Sequence, residues 1–165
     1  MSNAFRYKPG TIVKTLKSTV TISSGDNSTK AIALWDTGAT LCCVSEDVVK
    51  QLSLVATGKA RVSTPSSENE LVDTYLVDLL LPNDILIKDV IVAHSKIGAQ
   101  GIGLLVGMDI ISRGDFLITN NKETVFSFRM PSEGMMDFVS GIKFANAIKS
   151  NKNQNNKPKP KRKKR

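Results

Sequence analysis

Residues 34–40 read Leu34-Trp35-Asp36-Thr37-Gly38-Ala39-Thr40, and the fold turns on them. The five residues 31–35 form a continuous apolar run that ends at Asp36, and such a run bounded by turn formers suits a buried strand. A carboxylate at the end of that strand is desolvated on one side. Two residues on, Gly38 lets the backbone turn sharply and approach a ligand closely. Thr37 can brace the loop by hydrogen bonding. An ordinary strand-ending turn, in which the Asp bonds its own backbone, uses the same residue types. The surrounding pattern decides between the two.

Upstream, Ser18-Thr19-Val20-Thr21-Ile22-Ser23 alternates polar and apolar side chains, and Gly25-Asp26-Asn27-Ser28 supplies turn chemistry, so residues 18–35 read as a hairpin. Downstream, Ser45 followed by Glu46 and Asp47 starts a short helix whose apolar face is Val48, Val49 and Leu52. Residues 59–64 and 71–81 read as strands around the turn formers Pro65-Ser66-Ser67-Glu68-Asn69. Pro82-Asn83-Asp84 then turns the chain into a strand over 85–93 with Val90-Ile91-Val92 buried. Leu104-Leu105-Val106 is a short apolar run closed by Gly107, and Asp109 is placed to cap a helix over 110–113. Residues 116–119 and 124–128, joined at Asn120-Asn121, form a last hairpin. Many short strands and two short helices make a mostly β domain, barrel-like or sandwich. Beyond Pro131, the spacing of Met135, Phe138, Val139 and Ile142 predicts an amphipathic helix.

A chain of 165 residues supports one core and excludes a two-lobed enzyme of twice the size. Its composition, 41% hydrophobic and 23% charged, is that of a globular protein. No apolar run approaches the roughly 18 residues of a spanning helix, and no secretory leader pattern is present, so the expected compartment is the cytoplasm with no membrane partner. The net charge of +8 belongs to one end. Eight of the 23 Lys and Arg fall in residues 151–165, which hold no acid, and the remaining 15 balance the 15 acidic residues. That segment contains only Asn, Gln, Lys, Pro and Arg and is expected to be disordered. A basic run solubilises, addresses or binds electrostatically. The last is ranked first, as a weak contact with nucleic acid through residues 151–165, with no interleaved aromatic to stack on bases.

With the whole pattern in view, residues 34–40 resemble the active-site loop of the retroviral-type, or retropepsin-like, aspartic proteases: two apolar residues, Asp, Thr or Ser, Gly, then Ala or Ser. A second signature of that family, two apolar residues and a glycine ahead of a short helix, is matched by Leu105-Val106-Gly107 before Met108-Asp109-Ile110-Ile111. The hairpin from Val62-Ser63-Thr64 to Glu70-Leu71-Val72 sits where the family places its flap. The resemblance covers residues 18–130. It implies a single-domain closed β-barrel of the acid-protease fold with one or two short helices, acting as a homodimer. Asp36, Thr37 and Gly38 would form the catalytic loop, and Gly38, Ala39 and Thr40 with the flap residues Thr64, Pro65, Ser66 and Ser67 would touch an extended peptide substrate. The implied activity is aspartic endopeptidase. Because the chain carries one Asp-Thr-Gly, each subunit supplies half of a two-carboxylate site. The alternative is a non-proteolytic dimeric module that binds peptide or nucleic acid on the same fold.

Three departures place the chain nearer the bacterial and cellular branches than the viral enzymes. No glycine lies between Gly58 and Gly98, whereas retroviral flaps carry glycines at the tip. An Asp often follows the Ala of the retroviral loop, and an Arg that pairs with it follows the glycine of the second signature. Here Thr40 and Met108 stand at those positions, so no charge is left unpaired.

No cofactor and no metal are expected. His94 is the sole histidine and has no second ligand nearby. Cys42 and Cys43 are adjacent, unsuited to bonding each other, and without a His partner they read as buried thiols. Ser66 and Ser67 lack triad company, and Gly98, Gly101 and Gly103 do not form a dinucleotide-binding pattern. The expected organisation is an N-terminal segment over 1–17, the protease domain over 18–130, a C-terminal helical extension over 131–150 and the basic tail over 151–165.

Overall fold

A computed structural model of the chain describes residues 1–64, 67–98 and 101–155, with the backbone path alone at 64, 67, 68 and 150–155. The expected first hairpin is formed by β2 (Leu16–Ser24) and β3 (Asn27–Trp35), closed at Gly25, whose φ of +57° suits a residue without Cβ. The second half of β3, residues 31–35, is apolar throughout, yet its burial alternates: Ala33 and Trp35 are buried while Ile32 is 39% exposed. The continuous run therefore marks a strand with only one face in the core, not a strand buried on both. The same correction applies to β7 (Ile85–His94), where Val90 and Val92 are buried and Ile91 between them is 57% exposed.

After β4 (Cys43–Val44), α1 (Glu46–Gln51) starts where Ser45 predicts it, the Ser45 hydroxyl accepting the Val48 N–H at 3.4 Å. The flap-like hairpin is β5 (Gly58–Thr64) with β6 (Ser67–Leu81). Strand pairing resumes at Ser67, so residues 67–69, expected in the turn, belong to β6; residues 65 and 66 lie outside the described residues. β6 turns into β7 through Asn83 and Asp84, both at φ +58°, a left-handed pair that Asn and Asp tolerate. β8 (Leu104–Val106), α2 (Met108–Ile111), β9 (Asp115–Asn120) and β10 (Thr124–Met130) complete the second half.

Six strands close on themselves in the order β2-β3-β8-β4-β7-β6, the ring completed by β2 against β6 at Thr21↔Leu80. β5 extends from β6 as the edge strand of that sheet. Ile22, Leu79, Val92, Leu104, Val106 and Ile110 fill the interior. Around β3 the neighbours are antiparallel β2 and parallel β8, so the chain leaving Trp35 emerges beside the chain leaving Val106.

A three-stranded sheet, β1 (Asn3–Tyr7)-β10-β9, stands beside the barrel. Its Phe5, Phe116, Phe126 and Phe128 surround Trp35, with Phe116 stacked on the indole at 5.5 Å. Trp35 Nε1 donates to the Ser18 hydroxyl at 3.0 Å. The N-terminal segment set apart over 1–17 thus belongs to the domain: β1 pairs with β10 from Asn3↔Met130 to Tyr7↔Phe126, and Phe5 is buried.

The chain divides into two units, Met1–Glu133 and Gly134–Arg165. The second contains α3 (Phe138–Asn155), which begins after Met135 and runs five residues into the segment expected to be disordered; residues 156–165 lie outside the described residues. Phe138, Val139, Ile142 and Phe144 are exposed on it. No described helix is long and apolar enough to cross a membrane.

Candidate active site

Asp36 follows β3 directly, and its N–H donates to the carbonyl of Val106 at 3.0 Å, which prolongs the β3–β8 pairing by one bond. The loop then folds back on the carboxylate. Gly38 N–H donates to Asp36 Oδ1 at 2.8 Å and Ala39 N–H to the Asp36 carbonyl at 3.3 Å. Oδ2 has no partner among the described residues. The Thr37 hydroxyl makes no hydrogen bond among the described residues, so the brace expected of it is supplied by the backbone of Gly38 and Ala39.

The second signature packs against this loop. Met108 N–H donates to the Ala39 carbonyl at 2.8 Å and Asp109 N–H to that of Thr40 at 3.2 Å. A Cβ on Gly107 would lie 2.7 Å from the Leu41 carbonyl carbon, so only glycine permits this approach. Gly107 is also the residue that begins α2, with no side-chain cap. Asp109, expected to cap that helix, sits inside its first turn, where its Oδ1 accepts the Ile110 N–H at 3.0 Å, and it also reaches across: its Oδ2 accepts the Cys42 N–H at 3.0 Å and its Oδ1 the Cys42 thiol at 3.1 Å.

The loop opens on a cleft of about 680 Å³. Asp36, Gly38, Ala39 and Thr40 line it, together with residues that sequence reasoning did not place there: Arg61, Val62 and Ser63 of β5, and Cys43, His94 and Ile97. Of the flap residues named from the resemblance, Thr64 and Ser67 pair across the hairpin end, while Pro65 and Ser66 lie outside the described residues. The lone histidine, read as a packed or solvent-edge residue, is half-buried at the cleft, where β7 ends beside β4. Alternation on β5 gave no sign of which residues face a cleft, because both faces of an edge strand accept polar side chains.

The cleft's thiol, Cys43, is held in its protonated form. Burial first, then the carboxylates of Asp109 and Asp36, push the Cys43 thiol up to about 11, so it stays protonated near neutrality. Among the described residues no group of three His, Cys, Asp or Glu is placed to hold a metal ion. What remains is a carboxylate with one oxygen held by a backbone amide and the other open to the cleft.

A closed six-stranded barrel with an Asp-Thr-Gly loop tied to a glycine-led short helix is the retropepsin-like, acid-protease fold. Among solved structures, the chain is similar to a retropepsin-like aspartic protease from Rickettsia conorii, with a TM-score of 0.54 and 12% identity over 79% of this chain and 94% of that one. That likeness carries the fold. No protein-family profile matches the chain, and no curated protein does.

Proposed function

We propose that this protein is an aspartic endopeptidase whose catalytic unit is a homodimer, with Asp36 of each subunit supplying one carboxylate. Carboxylates brought within a few ångströms of each other cannot both ionise and so share one proton. The ionised member takes a proton from a bound water as that water attacks the peptide carbonyl, and the neutral member donates to the developing oxyanion. Neither a covalent intermediate nor a metal enters the reaction. An extended peptide would lie along Gly38, Ala39, Thr40 and β5, held by backbone hydrogen bonds as an added strand.

The observation that supports this most is the state of Asp36: its carboxylate lines a cleft large enough for several residues of a peptide, and its loop is fixed from both sides by backbone bonds. A module that only binds peptide needs no acid there. The test is cleavage of a peptide library by the wild type and by Asp36→Asn. The substitution should lower kcat/KM by at least about 10³-fold, the scale of a lost general acid–base pair. A hydroxyl-bearing transition-state mimic should inhibit and a chelator should not. Peptide binding without cleavage by the wild type would favour the binding module.

A further inference from the structure

Neither half of the loop-to-helix ion pair of the retroviral enzymes is present, since Thr40 and Met108 occupy those positions, yet the two segments are tied. The tie is Cys42. Its backbone N–H and its thiol both donate to the Asp109 carboxylate, at 3.0 and 3.1 Å, and its sulfur accepts the Gly107 N–H at 3.4 Å. Cys42 is fully buried and Asp109 half-buried, so these bonds are made out of competition with water. We propose that Cys42 and Asp109 are positioning residues of the Asp36 site: a thiol–carboxylate clamp that fixes the far arm of the catalytic loop on α2 in place of an ion pair. The proposal rests on the reading of Asp36 as the catalytic carboxylate.

The six residues from Asp36 to Leu41 lie outside any strand or helix. Their first residue is held by the Asp36 N–H on Val106, their middle by the Met108 and Asp109 N–H groups on Ala39 and Thr40, and the clamp lies just beyond their last. Asp109 is bonded by its carboxylate to Cys42 and by its own N–H to the Thr40 carbonyl, so loss of the clamp loosens the Thr40 side of the loop, and Ala39, bonded to the Asp36 carbonyl, passes the shift to the carboxylate. Burial and the Asp109 charge both push the Cys42 thiol up, which keeps the proton on sulfur and the S–H available as a donor. A misplacement of about 1 Å is enough to cost roughly a hundredfold in rate.

The experiment compares Cys42→Val, Asp109→Asn and Cys42→Ser with the wild type. Val removes the donor at nearly constant volume, and Ser restores an O–H. For Val and Asn, kcat should fall by roughly tenfold to a hundredfold while KM stays within about threefold, with Ser recovering part of the loss. Two readouts do not need activity. The Gly38 amide, exposed and protected only by Asp36 Oδ1, should exchange faster in Cys42→Val and Asp109→Asn. In a Cys43→Ala background, the infrared S–H stretch of Cys42 should shift when Asp109 is changed to Asn. Variants that lower the unfolding midpoint but leave kcat, Gly38 exchange and the S–H band at wild-type values would overturn the clamp and leave only packing. Should Cys42→Val fail to fold, Asp109→Asn gives the same readouts. Should the wild type cleave nothing, the exchange and infrared results still decide the clamp, and the catalytic reading of Asp36 falls separately.

Discussion

Gly107 has no room for a methyl group: the added carbon would meet the carbonyl carbon and oxygen of Leu41 at 2.7 and 2.8 Å, and backbone cannot swing aside as a side chain can. Gly107→Ala is therefore expected to destabilise the protein by about 1–3 kcal/mol, the range for overpacking, and to displace the Asp36 loop. Urea unfolding of the variant measures this, and an unchanged midpoint would contradict the packing. Ser18 poses the opposite problem. Its hydroxyl is the acceptor for Trp35 Nε1 in a buried setting, so Ser18→Ala orphans an indole N–H and should cost about 1–3 kcal/mol by the same measurement. At this scale the sequence was uneven. Asp36 and Gly107 were legible because motif order marked them, and so was the bond of Asp109 to the first turn of α2, whereas its second partner, Cys42, was not, being 67 residues away.

β1 shows why elements were harder to read at the edges of the domain. Its five residues, Asn3–Tyr7, bury only Phe5, too little pattern for a period of two to register. Phe5 nonetheless packs on Trp35, Phe126 and Phe128, and Phe5→Ala should lower stability by about 3–5 kcal/mol, as for other buried aromatics. A fully exposed N-terminal segment would show no change. The same sheet carries a pH-sensitive corner. Asp115 accepts hydrogen bonds from the Ser132 hydroxyl at 2.5 Å, the Glu133 N–H at 3.1 Å and the Arg129 guanidinium, which together hold its carboxyl down at about 2. An aspartate in the unfolded chain titrates at about 3.9. The folded value is the lower one, so the contribution to stability is present above that pH and is lost as pH falls toward 2. Asp115→Asn should remove that part of the acid limb, and carbon-detected NMR should find Asp115 still ionised at pH 3. By contrast, the hairpins β2–β3 and β9–β10 and the two strands of β5–β6 were legible, though not where β6 starts, because alternation and turn residues are local signals.

For the whole molecule, closure was the part that no local pattern carried. The β2–β6 contact that seals the barrel joins residues nearly 60 apart and depends on where the twist brings two strands together. The resemblance supplied it instead. The division of the chain at Glu133 yields a further expectation: a protein ending there should fold with an unchanged unfolding midpoint, because Gly134–Arg165 forms its own unit. Loss of folding would show that α3 supports the barrel. The proposed shared site sets the sharpest requirement, since with one Asp-Thr-Gly in the chain the second catalytic carboxylate must come from another subunit. The most direct measurement is specific activity on a peptide substrate across a dilution series, with sedimentation at the same concentrations and with increasing Asp36→Asn protein mixed in. Activity should rise with about the square of protein concentration below the dimer Kd, and excess Asp36→Asn should suppress the wild type by forming heterodimers with one carboxylate. A monomer that cleaves peptides at undiminished specific activity, indifferent to added Asp36→Asn, would contradict the account.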